Sequence, residues 1–162
     1  MKYYLPGSVK EIEDVLPGSC ILFSMHQKAK IGFLVEIHDG ERGILDIDAQ
    51  TVDGEKYPAV YLLENFGRER IFVYDEARIV PSVETLSIGF GYHGNGRINK
   101  ALYLVGDELV VQASRKQRHF RINLITGTLT QTEISSAIHC TQWHVEARNA
   151  DGDYRPLIEF KA

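Results

Sequence analysis
Apolar side chains fall at every second position along most of this chain. Ile31, Phe33, Val35 and Ile37 alternate with Gly32, Leu34, Glu36 and His38, and Phe120, Ile122 and Leu124 alternate with Arg121, Asn123 and Ile125. Trp143, Val145 and Ala147 repeat the pattern, as do Pro156, Ile158 and Phe160. A period of two is the signature of strands, whose successive side chains point to opposite faces. β-Branched and aromatic residues dominate these runs, as a pleated surface prefers. Asp39-Gly40, Asp53-Gly54, Gly106-Asp107 and Asp151-Gly152 separate them, and such dipeptides supply the positive φ that tight hairpins need. Phe66-Gly67 and Thr126-Gly127 read as looser turns. The pattern predicts a mainly β fold of antiparallel hairpins and meanders without βαβ units, with α+β as the fallback class.

Strands are expected near residues 20–25, 31–38, 43–49, 57–64 and 69–75, then near 84–90, 100–105, 108–113, 119–125, 141–148 and 154–160. The first set could close a small barrel. Pro81-Ser82 is the best internal boundary, so residues 1–81 and 82–162 are expected as two antiparallel halves packed into one compact unit. A short N-terminal helix is expected over 9–16. Ser8 and Glu11 have capping-box spacing, and Val9, Ile12, Val15 and Leu16 recur at helical spacing. Pro17-Gly18 would end it. A second helix signal starts at Thr130, with Glu133, Ile134, Ala137 and Ile138 behind it, where strand competes closely.

Composition changes this picture little, but charge adds to it. The chain has 162 residues and a net charge of −4. Residues 1–80 hold 9 basic and 14 acidic side chains, whereas residues 81–162 hold 9 and 8. An acidic protein is poorly suited to general nucleic-acid binding, which draws most of its affinity from phosphate neutralisation. It is better suited to steering towards a basic partner. The first ten residues have no apolar run of the secretory kind. Apolar stretches such as 59–63 fall far short of the ~20 residues that span a bilayer. Cys20 and Cys140 do not make a disulfide framework and are expected as thiols in a reducing cytoplasm.

Four segments have the residue types of a site. Gly89, Gly91 and Gly94 match G-x-G-x-x-G, but a dinucleotide site needs a helix after the motif, and a strand-like run follows instead. Tyr92, His93 and Arg97 on this loop suit contact with a partner. The run Arg115, Lys116, Arg118 and Arg121 suits an anion, or else forms a solvated hairpin end. His139, Cys140 and His144 are zinc-ligand types. On a strand, however, Cys140 and His144 lie about 13 Å apart, too far for ligands that sit about 2 Å from one metal. Asp46, Asp48, Asp53 and Glu55 form an acidic group without the order of a calcium loop. Asp46 and Asp48 share a strand face and are expected to project from it together. No G-x-S-x-G occurs, and Cys20 between apolar neighbours reads as an ordinary buried thiol.

These readings lead to a non-enzymatic protein-binding module. In concrete form it is an acidic bacterial immunity- or antitoxin-type protein that caps a basic partner such as a toxin nuclease. That role needs charge complementarity and fast association rather than a catalytic constellation. The expected contacts are Asp46, Asp48, Asp53, Glu55, Tyr92, His93 and Arg97. The alternative is a small β-barrel module that binds nucleic acid or peptide through Arg115, Lys116, Arg118 and Arg121. A third reading is a small enzyme with a non-standard site at His93 or Cys140. No metal, cofactor or membrane is expected, and the location is expected to be cytoplasmic.

Overall fold
A computed structural model describes residues 6–50, 56–65, 70–88, 100–116, 118–135 and 137–162. The strands are β1 (Gly7–Glu11), β2 (Cys20–Met25), β3 (Lys28–Glu36), β4 (Arg42–Gln50), β5 (Lys56–Leu62), β6 (Arg70–Tyr74), β7 (Ala77–Pro81), β8 (Leu86–Ile88), β9 (Leu102–Val105), β10 (Glu108–Arg115), β11 (Arg118–Asn123), β12 (Thr128–Leu129), β13 (Ile138–Cys140), β14 (Gln142–Arg148) and β15 (Tyr154–Lys161). The chain is mainly β, as the alternation predicts, and its strands form two sheets.

The larger sheet closes on itself. β3 pairs β4, β4 pairs β5, and β5 meets β10 in parallel at Ala59 and Ser114. β10 then pairs β11, β11 pairs β12, and β12 returns to β3 in parallel at Thr128 and Glu36. A barrel is therefore present, but the first half does not close it alone: three of its six strands precede Pro81 and three follow it. The physical reason is that β5 finds its outer neighbour in β10 rather than in β6. β6 instead joins β1 and β2 in a flap extending from β3. A second flap, β9–β13–β8, extends from β10. The smaller sheet runs β15–β14–β7.

The barrel encloses the main core. Phe33, Val35, Leu45, Ile47, Val60, Leu62, Val111, Phe120 and Ile122 face inward, and Trp143 and Phe160 of the smaller sheet pack with them. The Trp143 indole donates to the Lys100 carbonyl at 2.7 Å, which satisfies its one polar atom. A second core lies on the other side of β3 and β4, where Leu34 and Ile44 meet Ile21, Phe23, Ile71, Val73, Ile12 and Val15.

The expected helix over 9–16 is not found. Residues 7–11 form β1 and only Ile12–Asp14 make a 3-10 turn. The capping-box side chains serve β6 and its turn instead: Ser8 Oγ reaches Asp75 Oδ1 at 3.4 Å, and Glu11 pairs with Arg70 at 2.8 Å. Arg42 of β4 takes the carbonyls of Glu13 and Val15, which fixes the turn against the sheet. The apolar residues of the supposed helix face then part company. Ile12 and Val15 are buried, whereas Val9 and Leu16 are exposed. Ile138 begins β13, and the segment 130–135 is not a helix either. It is an irregular strap in which the Glu133 carboxylate accepts the N–H groups of Ile134 and Ser135.

Gly40, Gly106, Gly127 and Gly152 adopt positive φ at the expected turns, and Asp53-Gly54 and Phe66-Gly67 lie outside the described residues. The β2–β3 hairpin had no glycine signal. His26 and Gln27 hold φ of 50° and 61° between the paired Met25 and Lys28.

Candidate functional site
The basic run is divided by the β10–β11 hairpin. Arg115 pairs with Arg118 across the hairpin, and Lys116 at the turn has a φ of 46°. Arg115 and Lys116 line a cleft beside Tyr57, Tyr61 and Glu64, where Arg115 binds Glu41 at 3.3 Å. Arg118 and Arg121 line a different cleft of about 520 Å³.

The Arg118 cleft lies at the seam of the barrel. Besides Arg118 and Arg121 it is lined by His38, Gln112, His119, Phe120, Leu129, Thr130 and Gln131. β12 pairs only Ile122 and Asn123 of β11, and the Thr130 N–H continues to the Arg121 carbonyl at 2.9 Å. Beyond that point the chain departs as the strap, and His38 faces Phe120 across the gap with ring centroids 5.9 Å apart. Arg121 donates to the Thr132 carbonyl at 3.0 Å and lies 3.9 Å from Glu133. The Ser135 N–H, followed by the charge of Arg121, holds the exposed Glu133 carboxyl below its ordinary range. Among the described residues, the exposed side chains of Arg118 and His119 have no hydrogen-bond or ion-pair partner. The cleft thus combines one free cation, Arg118, with the Glu133-paired Arg121, amide and hydroxyl groups, and an apolar strip at Phe120 and Leu129. That lining suits an elongated anionic ligand with some apolar surface. Sequence reasoning found Arg118 and Arg121 but missed His38, Gln112 and Gln131, which only the closed barrel brings to them.

Asp46 and Asp48 require a correction. They do not project together from a solvated face. Asp46 is 1% exposed, and its Oδ2 lies 2.5 Å from Lys30 Nζ. Its Oδ1 accepts the Asp48 N–H at 3.0 Å. Asp48 pairs with Lys100 at 2.9 Å, and Lys30 also donates to the Asp48 carbonyl. Asp46 keeps the alternation, with Leu45 and Ile47 in the barrel core, but its face is the covered one that also carries Ile44, where Lys30 of β3 reaches it. Burial and the charge of Asp46 raise the Tyr61 pKa. Asp53, Glu55, Tyr92, His93, Arg97 and the motif at 89–96 lie outside the described residues.

The zinc-type residues go separate ways. His139 meets Ser87 Oγ at 2.7 Å, Cys140 donates to the Gln142 carbonyl at 2.7 Å, and His144 faces Glu146 at 3.4 Å. No group of three or more His, Cys, Asp or Glu among the described residues is arranged to hold a metal. Cys20 and Cys140 are free and buried, and burial pushes the Cys20 thiol up to about 12. A thiol so hard to ionise is a poor nucleophile. Among the described residues no helix is long and apolar enough to cross a membrane.

A groove of about 500 Å³ lined by Asp75, Glu76, Asp151 and Arg148 concentrates negative charge elsewhere, though Arg148 binds Glu76 at 3.1 Å. Compared with protein-family models, curated proteins and solved structures, the chain gives no significant match to any of the three.

Proposed function
We propose that this chain is a non-enzymatic protein-binding module acting through the barrel seam. The observation that carries the reading is the Arg118–Arg121 cleft, where the unpartnered Arg118 and the Glu133-paired Arg121 stand beside an apolar strip in a space of about 520 Å³. The ligand it favours is an acidic peptide segment. The net charge of −4 disfavours a long polyanion such as nucleic acid, which would be repelled by the rest of the surface. Free buried thiols suit a reducing compartment such as the cytoplasm.

The acidic cap on a basic partner, in its immunity- or antitoxin-type form, is the second reading. Asp46 and Asp48 no longer support it, because internal lysines neutralise them. The groove at Asp75, Glu76 and Asp151 does. An array of immobilised acidic, basic and neutral peptides, probed with the wild type and Arg118→Glu, tests both. Retention on the acidic set that drops in the variant is the expected result. Retention on the basic set, unchanged in the variant, moves the contact to the acidic groove. Binding of single-stranded oligonucleotide with no peptide retained overturns the protein-binding reading.

A further inference from the structure
Closed barrels remove sheet edges, yet this one leaves a short edge open. β12 is only two residues long, and it covers β11 at Ile122 and Asn123 alone. Arg118, His119 and Phe120 pair with β10 on one side, and no described strand pairs them on the other. The Arg121 carbonyl points to the seam, where it accepts the Thr130 N–H. Backbone groups alternate between the two edges of a strand, so the N–H and carbonyl of His119 point to the seam as well. The open edge and the cationic cleft are therefore the same place.

We infer that the seam accepts an extended acidic peptide as an added strand on the Arg118–Arg121 edge of β11. This rests on the protein-binding reading and deepens it by naming the mode of recognition and the partner chemistry. Backbone pairing to His119 supplies a sequence-independent anchor, and side-chain pockets select the charge, as in other cases of strand addition. Cross-strand position sets the charge preference. His119 and Arg121 are two residues apart and share the outer face of the barrel wall, opposite Ser114 and Gln112 of β10. Acidic residues at alternate positions of the added strand would meet both, and Arg118 at the hairpin end would meet a further carboxylate. The strap at Thr130 and Gln131 limits the length that can pair to a few residues. An edge this short, flanked by arginines, also discourages pairing between two copies of the chain, since both would bring the same charge.

A fluorescent eight-residue peptide of alternating Glu and Thr tests the inference by anisotropy against the full chain. Two further peptides carry N-methyl groups, one on every Glu amide and the other on every Thr amide. A strand presents alternate amides to one neighbour, so methylation in one frame should abolish binding and methylation in the other should leave it. Loss in the Glu frame marks antiparallel addition and loss in the Thr frame parallel addition. Arg118→Glu should weaken binding roughly tenfold, and added salt should weaken it further. Peptide binding should also slow hydrogen exchange at the His119 amide. Equal tolerance of both methylated peptides with an unprotected His119 overturns strand addition while leaving the cleft as a peptide site. Failure of the parent peptide to bind, with the fold intact, overturns both the inference and the acidic-peptide reading. Displacement of the bound peptide by a thymidine oligonucleotide at equal charge identifies a general anion site and likewise overturns strand addition.

Discussion

Lys30 Nζ lies 2.5 Å from Asp46 Oδ2, and that carboxylate is almost wholly shielded from water. A buried carboxylate keeps its charge only with a partner, and removing one member of such a pair typically costs about 3–5 kcal/mol. Lys30 keeps some solvent exposure, so the cost here should fall near the lower figure. Asp46→Lys should therefore destabilise the fold by about 3 kcal/mol or more in urea titrations, with Trp143 fluorescence as the probe. Asp48→Lys should cost less, because its side chain is already more than a quarter exposed. Equal and negligible losses for both would return them to the surface as free charges.

Gly18 and Gly127 meet where the edge of β3 passes from one neighbour to the next. The Gly18 N–H donates to Leu34 O at 2.8 Å, and the Gly127 carbonyl accepts the Glu36 N–H at 2.7 Å. A Cβ on Gly127 would stand 1.9 Å from the Gly18 nitrogen, and its φ is +68°. Both the clash and the left-handed backbone oppose any side chain. Gly127→Ala should cost about 2 kcal/mol or more and loosen the β12–β3 closure, visible as faster hydrogen exchange at the Glu36 amide. An unchanged melting temperature would show that the two loops can separate freely.

The β2–β3 hairpin stores a removable cost. His26 and Gln27 both occupy left-handed backbone, the pattern that favours Asn-Gly in two-residue turns. Gln27→Gly should stabilise the protein by about 0.5–1 kcal/mol, partly offset by the greater freedom of glycine in the unfolded chain. Thermal unfolding should move up by roughly 2 °C for a chain of this size. A lower midpoint would mean that the Gln27 side chain supports the turn in a way its backbone does not reveal.

Glu146 links stability to acid. Burial opposes its ionisation, but the hydrogen bond and charge of Arg78, with His144 beside them, prevail and hold the carboxyl below 4.5. A carboxyl depressed in the folded state stabilises fully above its unfolded pKa, and that contribution fades as pH falls through the lower folded value. The melting-temperature difference between wild type and Glu146→Gln should therefore be largest near neutral pH. It should narrow in the acid range below the ordinary carboxylate pKa. A gap that stays constant down to strong acid would assign the loss to packing rather than charge.

Most strands were legible in the chain itself, although β1, β7, β12 and β13 were not. The period-two runs at Phe33–Val35, Phe120–Ile122 and Trp143–Ala147 all became strands with those residues buried, because alternation is a local consequence of backbone geometry. Turn chemistry was also local, so Gly40, Gly106 and Gly152 stand where expected. Tertiary structure alone decided the rest. Ser8 and Glu11 carry a helix-start pattern, yet pairing with β6 competes for the same residues and prevails. Leu34 interrupts an otherwise regular alternation because β3 is buried on both faces, and nothing in its own segment announces the second core. Asp46 looked exposed because its partner, Lys30, is 16 residues away and reaches it only across the β3–β4 ladder. The cleft follows the same logic: Arg118 and Arg121 are neighbours in sequence, but His38 and Gln131 join them only because β12 closes the barrel onto β3 and stops after two residues.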